Sequence, residues 1–215
     1  MKWTSGILWL GLAAGGVQAA DGEASLALEK VQAWLSGTVT LHGQFSQELV
    51  SGALGGGLEE RGRFWIERPG RMRWDYLEPE KKVAIVVDDE TTLYLEEEAQ
   101  LFLGRLDNDG KLLPALLAGE RSLVELFEPS LMEPDGAVEP GRRRLRLVAL
   151  GGSEAFEQLV ITAAGPEHAI EAAEVLDAAG NRVFYRFSGL KRNSALPDGL
   201  FRLDPPPGTD IVEDR

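Results

Sequence analysis

Apolar and polar positions alternate along most of this chain. Phe64 and Ile66 share one face of segment 62–67, and Arg63, Trp65 and Glu67 share the other. Met72, Trp74 and Tyr76 oppose Arg71, Arg73 and Asp75. Leu93 and Leu95 alternate with Thr92, Tyr94 and Glu96, and Leu145 and Leu147 with Arg144 and Arg146. Val183, Tyr185 and Phe187 alternate with Arg182, Phe184 and Arg186. One apolar and one polar face per segment is the pattern of antiparallel strands wetted on one side. Segment 83–87, Val-Ala-Ile-Val-Val, is apolar on both faces and is expected to lie under another part of the chain. The pattern predicts about eleven strands, near 41–49, 61–67, 71–77, 82–88, 91–96, 100–106, 142–150, 156–162, 169–177, 182–189 and 200–203. Pro69-Gly70, Asp88-Asp89-Glu90 and Asp177-Ala178-Ala179-Gly180-Asn181 supply turns, and Gly55-Gly56-Gly57 a hairpin tip.

Two regions follow the helical period instead. Leu28, Val31 and Leu35 recur on one side of Ala24–Leu35, with Glu29, Lys30 and Gln32 on the other, and Asp21 or Ser25 in place to cap. Leu112-Leu113-Pro114-Ala115-Leu116-Leu117-Ala118 predicts a short apolar helix stopped by Gly119, and 122–127 a further helical turn. The stretch 128–141, with Pro129, Pro134, Gly136, Pro140 and Gly141, is expected to be loop. Many short strands with two helical pieces predict a mainly β fold of the α+β kind, a large curved sheet or a barrel. Leu112, Leu113, Leu116 and Leu117 then face the apolar side of that sheet in one of two ways. They complete an ordinary core, or they lid a hollow; composition does not separate the two.

The first nineteen residues change the picture of where the chain works. Lys2, the apolar run Ile7–Ala14 and the small-residue ending Val17-Gln18-Ala19 have the order of a secretory leader, too short to span a bilayer. Cleavage is expected after Ala19, with Ala20 the neighbouring choice, leaving 20–215 as one domain. The net charge of −13 becomes −14 when the leader and its Lys leave. That acidity argues against nucleic acid and against resident binding to anionic lipid. Cysteine is absent, which excludes disulfides, thiol chemistry and a lipid anchor on cysteine. A soluble protein beyond the inner membrane of a Gram-negative-type cell fits these features, and the leader alone does not name the compartment.

Little of the chain carries chemistry. His42 and His168 lie apart, outside any metal-ligand spacing. Gly55-Gly56-Gly57 lacks the Lys-Ser/Thr of a phosphate loop, and no Gly-x-Ser-x-Gly elbow occurs. Glu96-Glu97-Glu98 and Asp88-Asp89-Glu90 suit solvated turns, and Asp107-Asn108-Asp109-Gly110 lacks the distal Glu of a calcium loop. Arg142-Arg143-Arg144 is expected on a solvated strand edge. None of these patterns requires a metal or other cofactor, and no nucleophile–base arrangement points to an enzyme.

The run Glu67-Arg68-Pro69-Gly70-Arg71-Met72-Arg73-Trp74-Asp75-Tyr76-Leu77-Glu78-Pro79 resembles a hairpin of the outer-membrane lipoprotein carrier protein family (LolA), in which Arg-Pro precedes an aromatic-x-Trp and a later proline. Gly43-Gln44-Phe45-Ser46-Gln47 resembles that family's first strand. Val87-Asp88-Asp89-Glu90-Thr91-Thr92-Leu93-Tyr94 resembles a turn where Asp89-Glu90 replaces the usual glycine. Asp177–Asn181 and Phe201-Arg202-Leu203-Asp204-Pro205-Pro206-Pro207-Gly208-Thr209-Asp210 resemble the late hairpin and closing segment, so the likeness covers about 24–212.

The resemblance implies an incomplete antiparallel barrel with a helical lid over an apolar cavity. It implies a carrier that takes acylated lipoproteins from an inner-membrane ABC transporter, shields their acyl chains across the periplasm and passes them to an outer-membrane receptor; the chain is expected to be a monomer. It implies that Arg68 holds the lid through backbone carbonyls, a task for which a planar five-donor guanidinium is suited. The expected acyl-chain cavity has Phe64, Ile66, Met72, Trp74, Leu93, Leu95, Leu145 and Leu147 on the sheet, and Leu112, Leu113, Leu116 and Leu117 on the lid. A carrier of the same fold serving a lipid exporter, with glycolipid or other lipid as cargo, is the alternative. A sensor of stray lipoproteins would need a second domain, for which the chain is too short.

Overall fold

The computed structural model describes residues 15–51, 57–105, 122–132, 141–151, 157–177 and 179–213, with the side chains of 15–21 outside that description. Helix α1 (Gly15–Ser36) leads into β1 (Thr40–Val50), β2 (Gly57–Glu67), β3 (Arg71–Glu78), β4 (Lys82–Val87), β5 (Glu90–Leu95) and β6 (Gln100–Arg105). A single helical turn, α2 (Leu123–Leu126), precedes β7 (Phe127–Leu131), β8 (Arg143–Ala149), β9 (Gln158–Ala164), β10 (Ala169–Leu176), β11 (Arg182–Arg192) and β12 (Asp210–Glu213).

These strands form one twelve-stranded sheet in the order β12-β6-β5-β4-β3-β2-β1-β11-β10-β9-β8-β7. Every pairing is antiparallel except β12 on β6, which is parallel. The sheet curls around α1 without closing into a barrel: β12 and β7 remain its edges. The mainly β, incomplete-barrel expectation therefore holds.

Helix α1 packs its apolar stripe, Leu28, Val31, Trp34 and Leu35, against β7, β8 and β10. Leu145, Leu147, Leu159, Ile161, Ile170 and Ala173 meet it from the sheet, and together these residues form one core with Phe45, Phe64 and Trp74. Burial of this kind is worth about 25 cal/mol per Å² of apolar surface and dominates the favourable side of folding.

After β11 the chain crosses to the far edge. Asn193 sits beside the start of β1, while Asp210 pairs with Gln100 on β6. The segment between them runs over the convex face, where Arg73, opposite Met72 and Trp74 in the alternation, donates to the Leu200 carbonyl at 2.9 Å. This strap accounts for the two-sided apolarity of 83–87: Ala84 and Val86 face the concave side, and Ile85 is buried on the convex side with Tyr94 and Leu101.

Several expectations are corrected. Helix α1 starts at Gly15, ahead of Ala24. Part of the expected 128–141 loop is strand β7, and Pro129 fits there because β7 is an edge whose outer N–H groups need no ladder partner. Residues 200–203 form a turn and extended strap without a ladder, and the last strand is instead Asp210–Glu213. Arg142–Arg144 do not mark a free edge, since β8 lies between β7 and β9. Arg142 pairs with Glu171 at 3.0 Å, Arg143 with Glu23 at 3.4 Å and Arg144 with Glu174 at 3.1 Å. The expected helix at 112–119, with Leu112, Leu113, Leu116 and Leu117, lies outside the described residues.

Candidate functional site

Strand register organises the concave face into rows. One row runs Leu41, Ile66, Met72, Val86, Thr91 and Gly104. The next runs Gly43, Phe64, Trp74, Ala84, Leu93 and Phe102. A third runs Phe187, Phe45, Gly62, Tyr76, Lys82, Leu95 and Gln100. Alternation alone puts these side chains on one face, and the ladder places residues from separate strands side by side.

The centre of this surface is an aromatic floor. Phe45 meets Trp74 edge-on at 4.7 Å and Tyr76 edge-on at 5.0 Å between ring centroids. Phe64 stacks on Trp74 at 5.2 Å and contacts Phe187 at 5.3 Å, and Tyr185 stacks on Phe187 at 6.3 Å. Gly62 makes room for it: a Cβ there would lie 2.0 Å from the Asp75 carbonyl oxygen and 2.8 Å from the Phe45 ring.

Of the residues expected to line the cavity, Phe64, Ile66, Met72 and Trp74 are buried in this floor. Leu93 and Leu95 share its face but are half-buried, as are Ala84, Val86 and Phe102. Leu145 and Leu147 are fully buried on β8, on the side of the sheet that α1 packs against. The floor thus passes from a region sealed by α1 to one whose side chains stay partly open on β4–β6.

Arg68, at the end of β2, donates from Nη1 to the carbonyl oxygens of Leu35 and, at 3.2 Å, Thr38. Arg192 and Asn193 add donors to the Gly37 carbonyl at 3.0 and 2.9 Å, and the Thr38 hydroxyl donates to Trp34 O at 2.7 Å. Helix α1 carries no basic residue in its last turn, so the sheet supplies the cations that its negative end favours. The helix is clasped to the sheet at this end.

A polar group at the other end of the floor was not anticipated. Glu60, 7% exposed, forms an ion pair with Lys82. The Lys82 ammonium lies 4.3 Å from the centre of the Tyr76 ring, and the Tyr76 hydroxyl donates to Gln47 Oε1 at 3.3 Å. Gln47 is the register partner of both Glu60 and Tyr185. Burial, with the Glu60 charge adding to it, pushes the Tyr185 hydroxyl up to about 12. Burial likewise raises Tyr76 above its ordinary value, helped by Tyr185 and Glu60. The signal in the sequence is that Glu60 and Lys82 occupy the in-facing phase of their own strands. The apolar run after Lys82 hides it.

The histidines serve local structure. His42 Nε2 lies 3.0 Å from Ser194 Oγ, and His168, at φ 55° in a turn, has Nδ1 3.3 Å from Pro166 O.

Residues 36–204 match the family described as outer membrane lipoprotein carrier protein LolA. The outer-membrane lipoprotein carrier protein of Cupriavidus pinatubonensis is 30% identical over 194 residues, covering 87% of each chain. That of Ralstonia nicotianae is 28% identical over 193 residues, also covering 87% of each. Among solved structures, an uncharacterized conserved protein from Thermus thermophilus superposes with a TM-score of 0.56 at 15% identity, over 89% of this chain and 99% of its own, a likeness of fold.

Proposed function

Because the chain belongs to the LolA family of outer membrane lipoprotein carrier proteins, we propose that it carries acylated lipoproteins through the periplasm from the inner to the outer membrane, hiding their acyl chains on the way. The leader of residues 1–19 directs it there. An inner-membrane ABC transporter loads it, an outer-membrane receptor unloads it, and it works as a monomer without catalysing a reaction. The observation that carries this reading is the concave aromatic floor, continuous with the half-buried Ala84, Val86, Leu93, Leu95 and Phe102.

The energetic need is large. Each methylene left in water costs about 0.8 kcal/mol, so two or three long chains cost on the order of tens of kcal/mol. The carrier must offset most of this and still release the cargo. A cover that closes favourably over the empty floor meets both demands, since closure competes with cargo. The carbonyl clasp of Arg68 supplies part of that closure.

Isolation of the mature protein from its native periplasm, with mass spectrometry of whatever lipid accompanies it, tests the reading. Bound acylated lipoprotein is expected. Glycolipid or another export lipid would move the chain to the alternative cargo, and the absence of any acylated species would overturn the carrier function.

A further inference from the structure

The polar group on the concave face has donors to spare and no net charge. Lys82 gives one bond to Glu60, and its other two N–H groups meet no acceptor among the described residues. The Gln47 side-chain amide accepts from Tyr76 through Oε1, and its own N–H donors meet none there either. Nor does the Tyr185 hydroxyl, whose ring is held by stacking on Phe187. These polar atoms are not sealed off: the Lys82 side chain is 25% exposed, and neither the Gln47 amide nitrogen nor the Tyr185 hydroxyl is among the buried unsatisfied atoms of the described residues. Five strands bring the group together: Gln47 from β1, Glu60 from β2, Tyr76 from β3, Lys82 from β4 and Tyr185 from β11.

We propose that this group is a subsite for a neutral acceptor, the ester or amide carbonyl that joins an acyl chain to the rest of the cargo, and that Glu60 excludes free fatty acids from it. The inference rests on the carrier reading and names the linkage that the same concave face selects. An ion pair of Lys82 with Glu60 cancels the charge that would otherwise attract a carboxylate, while the surplus donors remain for a carbonyl oxygen. A carboxylate entering here would lose its water, gain no net cation and face Glu60, which a low-dielectric surrounding makes costly. Phe45, Trp74 and Phe64 lie next to the subsite and give the adjoining methylenes an apolar bed.

The test uses the mature protein and the neutral dye N-phenylnaphthylamine, displaced by methyl laurate, N-methyl lauramide or laurate. The readout is the ratio of ester to laurate competition, so a general change in dye affinity cancels. Wild-type protein is expected to favour the ester and the amide over laurate by about tenfold, the equivalent of one modest charge interaction. Glu60→Gln should raise laurate competition about tenfold, because the Lys82 charge is then uncompensated. Tyr185→Phe, which keeps the ring and drops the donor, should weaken the ester several-fold relative to a plain C12 alkane, as expected for one lost hydrogen bond. Equal competition by ester and laurate in wild type, or a ratio that Glu60→Gln leaves in place, would overturn the inference. Failure of the dye to bind wild type would count against the apolar floor itself and so against the carrier reading, a separate result. If Glu60→Gln lowers the melting temperature too far to assay, the Tyr185→Phe ratio decides.

Discussion

The guanidinium of Arg68, on the turn between β2 and β3, donates to the backbone carbonyl of Leu35 in the last turn of α1. The two residues come from opposite layers of the fold, and the bond joins the concave sheet to the helix lying in it. The same nitrogen also reaches Thr38 O, so one side chain serves two carbonyls past the point where intrahelical donors run out.

Replacing Arg68 by Leu removes both bonds and is expected to cost about 1–3 kcal/mol in urea unfolding, as for hydrogen bonds to a charged donor. Arg68→Lys should recover less than half, because an ammonium lacks the planar fork. If the proposed carrier function holds, cargo should leave the Leu variant more slowly in transfer to an acceptor, since the loss would fall on the closed, empty form. Unchanged release together with reduced stability would leave Arg68 as a structural clasp alone.

Gly62 sets the height of the aromatic floor. The backbone of β3 and the Phe45 ring occupy the space that a side chain at this position needs. The register also slips beside it, where Leu77 is the extra residue of β3 between the partners of Gly62 and Arg61. Gly62→Ala is therefore expected to destabilise by about 3 kcal/mol, the upper range of overpacking, with a matching fall in the urea midpoint. Near-ultraviolet circular dichroism should change with it, because Phe45 and Trp74 would separate.

Much of this fold could be read from the alternation of side chains, and the reasons for the failures are local. Strands β2, β3 and β8 alternate cleanly because one face meets the core and the other meets water or the strap, whereas β4 and β9 carry apolar residues on both faces. Strand β7 was hidden by Pro129, a residue that only an edge tolerates. The strap at 200–204 mimics a strand: Phe201 and Leu203 are half-buried while Arg202 and Asp204 are exposed, so burial alternates without a ladder partner. The floor residues Phe64, Ile66, Met72 and Trp74 were found because each lies in phase with its neighbours. Glu60, Lys82, Gln47 and Tyr185 were not, because their meeting depends on the register of five strands, which no single segment contains.

Two of the three tyrosines should make the fold sensitive to alkali. Tyr185 and Tyr76 have hydroxyls raised above the ordinary value of 10, Tyr185 to about 12. The unfolded chain loses these protons first, so above pH 10 it binds fewer protons than the native state and stability falls as pH rises. The stabilisation is complete below pH 10 and disappears for Tyr185 as pH passes about 12. Urea midpoints taken from pH 9 to 12 should decline, and the decline should be shallower in Tyr185→Phe. Absorbance at 295 nm should show two tyrosinates appearing only as the fold is lost.

Asn193 closes the sheet against the helix from the other side of β1. Its Oδ1 accepts from the Val39 N–H at 2.7 Å, its Nδ2 donates to the Gly37 carbonyl at 2.9 Å, and its own N–H donates to Thr40 O at 2.8 Å. It does this at φ 55°, a left-handed conformation that asparagine tolerates better than most residues. Asn193→Ala loses these side-chain bonds, together with the longer one from the Thr40 N–H at 3.5 Å, and keeps a Cβ in that conformation, so a loss of about 2–4 kcal/mol is expected. Asn193→Gly loses the same bonds but relieves the backbone, and should cost about 1 kcal/mol less. Urea unfolding of the pair separates the two contributions: equal losses would show that the bonds alone hold this corner, and a Gly variant weaker than Ala would mean that the left-handed conformation carries no strain. Hydrogen exchange at Val39 should speed up in both, because its amide loses the Asn193 acceptor either way.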